Sequence, residues 1–144
     1  MATTTIRSRS GSFFGRLTRA GRAEIRLLAG DLALAEREIG RALDMHRESG
    51  NVIGEADDTR VFANLLAQRG DRADAESLLR DIIGRAEELQ RPLLAARAER
   101  DLASLLQQTD RRAEAHEIAR KARVRFKALG ALAEVRALDR LLPD

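Results

Sequence analysis

The chain has no cysteine, no tryptophan and no tyrosine among its 144 residues, and its only aromatic side chains are four phenylalanines. Without cysteine there is neither a disulfide framework nor a thiolate metal site. Proline occurs only at Pro92 and Pro143, so little interrupts a helix. Lysine is confined to Lys121 and Lys127, and the other positive charge is carried by 24 arginines. No apolar run approaches the roughly 18–20 residues that a membrane-spanning helix requires. Alanine, leucine, arginine and glutamate dominate instead. These residues lose least on entering a helix, and their balance predicts an all-α protein with one core.

The net charge of +3 is unevenly spread. Residues 1–30 hold Arg7, Arg9, Arg16, Arg19, Arg22 and Arg26 against Glu24 alone, which leaves the rest of the chain slightly acidic. A basic front on a nearly neutral body does not imply a nucleic-acid-binding surface. Residues 1–15 read as a disordered basic tail. If the stretch from Phe13 to Leu28 is helical, Arg16, Arg19, Arg22 and Arg26 share one face and Phe13, Leu17 and Leu28 the other. That pattern suits a solenoid helix with an arginine stripe in water, an anionic surface, or an organellar presequence.

Residues 50–89 laid over 90–129 without a gap give twelve identities in forty. Arg60 falls on Arg100, Ala63 on Ala103, Leu65 and Leu66 on Leu105 and Leu106, and Ala75 on Ala115. Ala23, Gly30 and Ala35 take the matching places earlier, and Arg140 later. Each copy reads as helix, tight turn, helix. Phe62, Leu65, Leu66 and Arg69 have helical spacing. Gly70 breaks the helix, Asp71 can cap the next, and Ala75, Leu78, Leu79, Ile82 and Ile83 line the second helix. In the third copy Thr109 or Asp110 replaces the turn glycine as the cap. Pro92 suits the first turn of a new helix. The final helix turns Leu132, Val135, Leu138 and Leu142 inward and leaves Glu134, Arg136 and Asp139 to water.

Small residues at Ala63 and Ala103, bulky ones at Leu66 and Leu106, a Gly-Asp turn, then Ala75 and Ala115 resemble the tetratricopeptide repeat. The forty-residue spacing is similar to the long variant of kinesin light chains and of helical sensor domains in bacterial regulators. The chain departs from the pattern at Arg22 and Arg26, which replace Phe62 and Leu66 of the second copy. The resemblance implies antiparallel hairpins stacked as a short right-handed α-solenoid. Its repeats cover about 16–50, 51–90 and 91–130, with a capping helix at 131–142.

No catalytic constellation is visible, and no cofactor or metal is expected. His46 and His116 stand apart among charged neighbours and read as solvated helix residues. Adjacent acids such as Asp57–Asp58 and Glu87–Glu88 point in different directions on a helix. Arg69–Asp71 spells RGD, but as the turn of a repeat. The recurring Arg60, Arg100 and Arg140 lie opposite Phe62, Leu65 and Leu66. The family's geometry would line them along a concave groove with Asn64, Arg97 and Ser104. Guanidinium groups there would suit a carboxylate or phosphate. The competing reading pairs these arginines with neighbouring acids.

The resemblance therefore implies a non-enzymatic adaptor that holds a peptide or partner helix, acidic or ending in a free carboxylate. The alternative is a regulatory helical-repeat protein acting with a bacterial ATPase or transcription regulator. A cytoplasmic location is expected, or an organellar one if residues 1–28 are a presequence. No nucleic-acid partner is expected. A short array has two ends, so pairing of two chains through an end is compatible with this reading.

Overall fold

The computed structural model describes residues 19–28 and 30–143. The proposed tail at 1–15 lies outside the described residues, as do Phe13 and Leu17. Among the described residues the fold is all-helical. The described residues form seven helices: α1 (Arg19–Leu28), α2 (Leu32–Ser49), α3 (Val52–Arg69), α4 (Arg72–Glu88), α5 (Pro92–Gln108), α6 (Arg112–Ala128) and α7 (Leu132–Leu141). The chain divides into two compact units, one ending at Leu65 and one starting at Leu66, with the boundary inside α3.

One turn is used throughout. Gly30, Gly50, Gly70, Gln90, Asp110 and Gly130 all have positive φ, at a uniform interval of twenty residues. After each helix the residue beyond the left-handed one donates its N–H to the carbonyl five before it. These bonds run from Asp31 to Arg26, Asn51 to His46, Asp71 to Leu66, Arg91 to Ala86, Arg111 to Leu106 and Ala131 to Phe126, at 2.8–3.0 Å. The left-handed residue bonds three back, as Gly70 does to Ala67 at 3.1 Å. This paired pattern satisfies carbonyls that a helix end would otherwise leave exposed. The donor residue's own carbonyl then accepts the first bond of the next helix, as Asp71 does from Ala75. Two residues thus close one helix and open the next.

The caps differ in detail from the sequence reading. Asp31 does cap α2, its Oδ1 accepting from the Leu34 amide at 3.3 Å. Asp71 occupies the cap position of α4, but its side chain makes no capping bond. Asp110 does not cap α6. It takes the left-handed place, and Arg111 is the cap residue. Thr109 closes α5 instead, its hydroxyl donating to the Leu106 carbonyl. Pro92 stands in the first turn of α5, where its missing N–H costs nothing.

In the first unit α1 packs on α2, and Ala23, Leu27, Ala35, Ile39, Val61 and Leu65 form a buried cluster edged by Leu32, Leu43 and Phe62. In the second unit α5 packs on both α4 and α6, and α6 on α7. Alanine is what allows this. Ala75, Ala95, Ala103, Ala115 and Ala122 are fully buried, so backbones approach closely while Leu79, Leu102, Leu106 and Phe126 fill the gaps. Burial of such a large side chain contributes about 1.5–3 kcal/mol. Val135 and Leu138 on α7 and Leu142 at its end are buried as expected, but Leu132, the first residue of the helix, is 56% exposed.

Replacing Gln90 by Gly should stabilise the protein by about 0.5–1 kcal/mol, because a left-handed side-chain residue is strained. Asp110→Gly should gain less, since aspartate tolerates this region. Gly70→Ala should cost about 1 kcal/mol. Urea denaturation of the three variants reads these differences directly.

Candidate binding residues and the ion-pair frame

The recurring arginines have unlike surroundings. Arg60, on α3, is buried: its Nε donates to Asp57 at 2.9 Å and its Nη1 to Glu24 on α1 at 3.2 Å. The expectation that it lies on an open face opposite the apolar residues is corrected by this burial. Arg100, on α5, is 21% exposed; it donates to Asp101 at 3.1 Å and to Glu134 on α7 at 2.9 Å. Arg140 is exposed in the last turn of α7. Arg60 and Arg100 do the same work in their separate units. Each ties the first helix of one hairpin to that of a neighbour.

Arg97, Arg100, Asp101 and Ser104 fall on one face of α5 by their spacing, and Arg97 and Ser104 are half-buried. Asn64, also half-buried, belongs to the first unit with Arg60. Glu134 and Asp139, expected in water, are instead engaged: Asp139 accepts from Arg123 at 3.0 Å. Arg22 and Arg26 are half-buried rather than a free stripe. Arg22 approaches Glu38 on α2 at 3.8 Å, and the Arg26 Nε has no hydrogen-bond partner among the described residues.

Two further charge clusters brace the second unit. Arg80 and Glu76 of α4 and Arg111 and Glu114 at the start of α6 form a closed ring of four ion pairs at 2.6–2.9 Å. Hydrogen bonds from Arg111 hold the Glu76 carboxyl below its usual range, and bonds from Arg80 do the same for Glu114. Glu99, buried on α5, receives the Arg125 Nε at 3.1 Å while the Arg125 Nη2 reaches Glu87 at 2.7 Å. One guanidinium thus joins α4, α5 and α6. Burial raises the Glu99 pKa, and the Arg125 charge opposes it only in part.

His46 is not the solvated histidine expected. Its Nδ1 lies 2.5 Å from the Oδ2 of Asp58, which is 1% exposed. The ring packs so close to Gly54 that a Cβ there would sit 2.7 Å from it, so α3 needs glycine at that point. The other oxygen, Oδ1 of Asp58, is buried with no partner among the described residues. Burial raises the Asp58 pKa, with the His46 hydrogen bond opposing. Histidine, glycine and aspartate converge here because they lie on facing helices across the Gly50 turn. A search for metal or catalytic spacing overlooks such a mirror pair.

No group of three or more histidine and acidic residues among those described is arranged to hold a metal ion. No helix among them is long and apolar enough to cross a membrane. Comparison with family models, with curated proteins and with solved structures finds no match.

Two measurements follow from this frame. Arg60→Ala should cost about 1–3 kcal/mol by removing a buried guanidinium from the half-buried carboxylates of Asp57 and Glu24, whereas Arg140→Ala should stay within about 0.5 kcal/mol; thermal and urea unfolding distinguish them. The pH response should also divide by residue. A raised carboxyl pKa stabilises the fold below the unfolded value, and that stability is lost as pH rises through the folded value. Glu99→Gln should therefore improve relative to wild type between pH 4.5 and neutrality. The lowered Glu76 contributes stability above pH 4.5 that is lost as pH falls, so the deficit of Glu76→Gln should shrink on acidification.

Proposed function

We propose that the chain is a tetratricopeptide-like interaction module, a short right-handed α-solenoid with no catalytic role, which holds an acidic segment or a free carboxylate of a partner protein. The observation that carries this reading is the recurrence of one hairpin turn every twenty residues. A chain built of identical hairpins, each unable to cover its own apolar side, is the construction of repeat proteins whose use is to present a long surface. On this reading α3, α5 and α7 are the inner helices. Arg60 and Arg100 serve as braces, and the ligand meets Arg97, Ser104 and Arg140 of the second unit. Arginine suits that task because its planar fork can take a carboxylate with two parallel bonds. A cytoplasmic location goes with the reading.

The test is affinity capture from the native cell extract with wild type and with Arg97→Glu combined with Arg140→Glu. Both positions lie outside the buried frame, so the variant should keep its helical signal and lose its acidic partners. An unchanged set of captured proteins would remove these residues from the account.

A further inference from the structure

The repeat makes one comparison possible that neither copy allows alone. The outer faces of α4 and α6, both within the second unit, are related position by position at the forty-residue interval. Asp81 corresponds to Lys121, Gly84 to Val124 and Glu87 to Lys127. All six are exposed, as are Glu88 on α4 and Arg120 on α6. At these positions the surface is acidic and hollow on α4, and basic with a projecting valine on α6; Arg85 on α4 and Glu117 on α6 are the exposed residues of opposite sign beside them. Val124 is 69% exposed, the largest value for a large apolar residue described in this unit. A Cβ on Gly84 would meet nothing within 4 Å, so the hollow is open space rather than a filled contact. The chain's only two lysines flank Val124.

The two helices are also neighbours. Arg80 and Glu76 on α4 bond Glu114 and Arg111 at the α6 start, and Glu87 bonds Arg125. The acidic and the basic positions thus lie on two helices bridged near both ends of α4. That is the pattern required for a two-fold contact, in which one patch must complement itself.

We propose that this face of α4 and α6 binds the same face of a second copy of the chain. With the two-fold axis parallel to the helices, α4 of each copy lies over α6 of the other. Asp81 and Glu88 then face Lys121 and Lys127, and Val124 enters the hollow over Gly84. Turning one copy end for end would set acidic row on acidic row, so charge selects the parallel arrangement. An exposed glycine inside a helix is unfavourable relative to alanine, and close approach of a partner supplies a reason for it. This contact uses the second helices of the hairpins and is independent of the peptide-binding surface proposed above.

Sedimentation equilibrium of the full chain decides the matter, with circular dichroism confirming that each variant is folded. Wild type should dimerise, and more weakly as salt rises. Lys121→Glu with Lys127→Glu should raise the dimer dissociation constant about tenfold or more. Adding Asp81→Lys and Glu88→Lys to the same chain reverses both rows and should restore dimerisation. Val124→Glu alone is a second, uncoupled probe and should also weaken the dimer. A wild type that stays monomeric at about 100 μM, where a weak specific contact would already be populated, overturns the proposal. So does a dimer that ignores these substitutions, or one that the reversed rows fail to restore.

Discussion

The turn with one left-handed residue is the constraint on which the rest depends. Six times, two residues end one helix and start the next, with the same pair of backbone bonds. A turn this short leaves no slack, so the register between consecutive helices is set by the backbone before any side chain chooses a partner. Arg22 and Glu38 lie symmetrically about Gly30, Arg123 and Asp139 almost so about Gly130, and His46 and Asp58 meet across the Gly50 turn. Where the left-handed place falls to Gln90 or Asp110, the same bonds form. The geometry is therefore imposed by the hairpin as a whole and not by glycine alone.

A second regularity follows from the first. Ion pairs joining every other helix are separated by 34–38 residues, not forty: Arg60 with Glu24, Arg80 with Glu114, Arg100 with Glu134, Arg111 with Glu76, Arg125 with Glu87. In each case the later residue falls short of the sequence period. Alternate helices of a unit are thus bridged between positions offset by up to about a turn and a half, and an arginine side chain is long enough to span that offset. This explains why arginine has almost displaced lysine in the frame. Its planar fork reaches two acids at once, as Arg125 and Arg60 do, where an ammonium would satisfy the geometry of one. Surface pairs contribute little singly, but the ring of Arg80, Glu76, Arg111 and Glu114 is a network, the form in which exposed charges count.

Much of this architecture is legible in the sequence and some of it is not, for physical reasons that particular residues expose. The hairpins, the turn glycines and the alanine positions are readable because backbone geometry and close packing admit few residue types: Ala75 and Ala115 are fully buried, and Pro92 opens α5. The side-chain frame is hidden because a charged residue looks alike in sequence whether it faces water or a partner. Arg60 lies on the opposite side of its helix from Phe62 and Leu65, which suggested exposure. That argument covers the apolar core of one hairpin and omits the neighbouring helix, which covers the other side. The same holds for His46. Its charged neighbours in sequence point elsewhere, while its ring lies against Gly54 and Asp58 on the facing helix.

The three recurring arginines show how far a repeat position determines a role. Arg60 braces backward to α1 and is buried, Arg100 braces forward to α7 and is partly open, and Arg140 occupies the equivalent place on the last helix described and is exposed. The residue and its phase on the helix are constant, whereas the neighbour is not. Identity across repeats therefore records a packing requirement at Arg60 and Arg100, where a further helix lies alongside. The same logic separates α4 from α6, whose frames share the closed ring of charges but whose exposed positions differ, Asp81 and Glu87 on one matching Lys121 and Lys127 on the other. Conserved positions within the array hold it together. Positions that differ between copies are where selection for a partner has room to act.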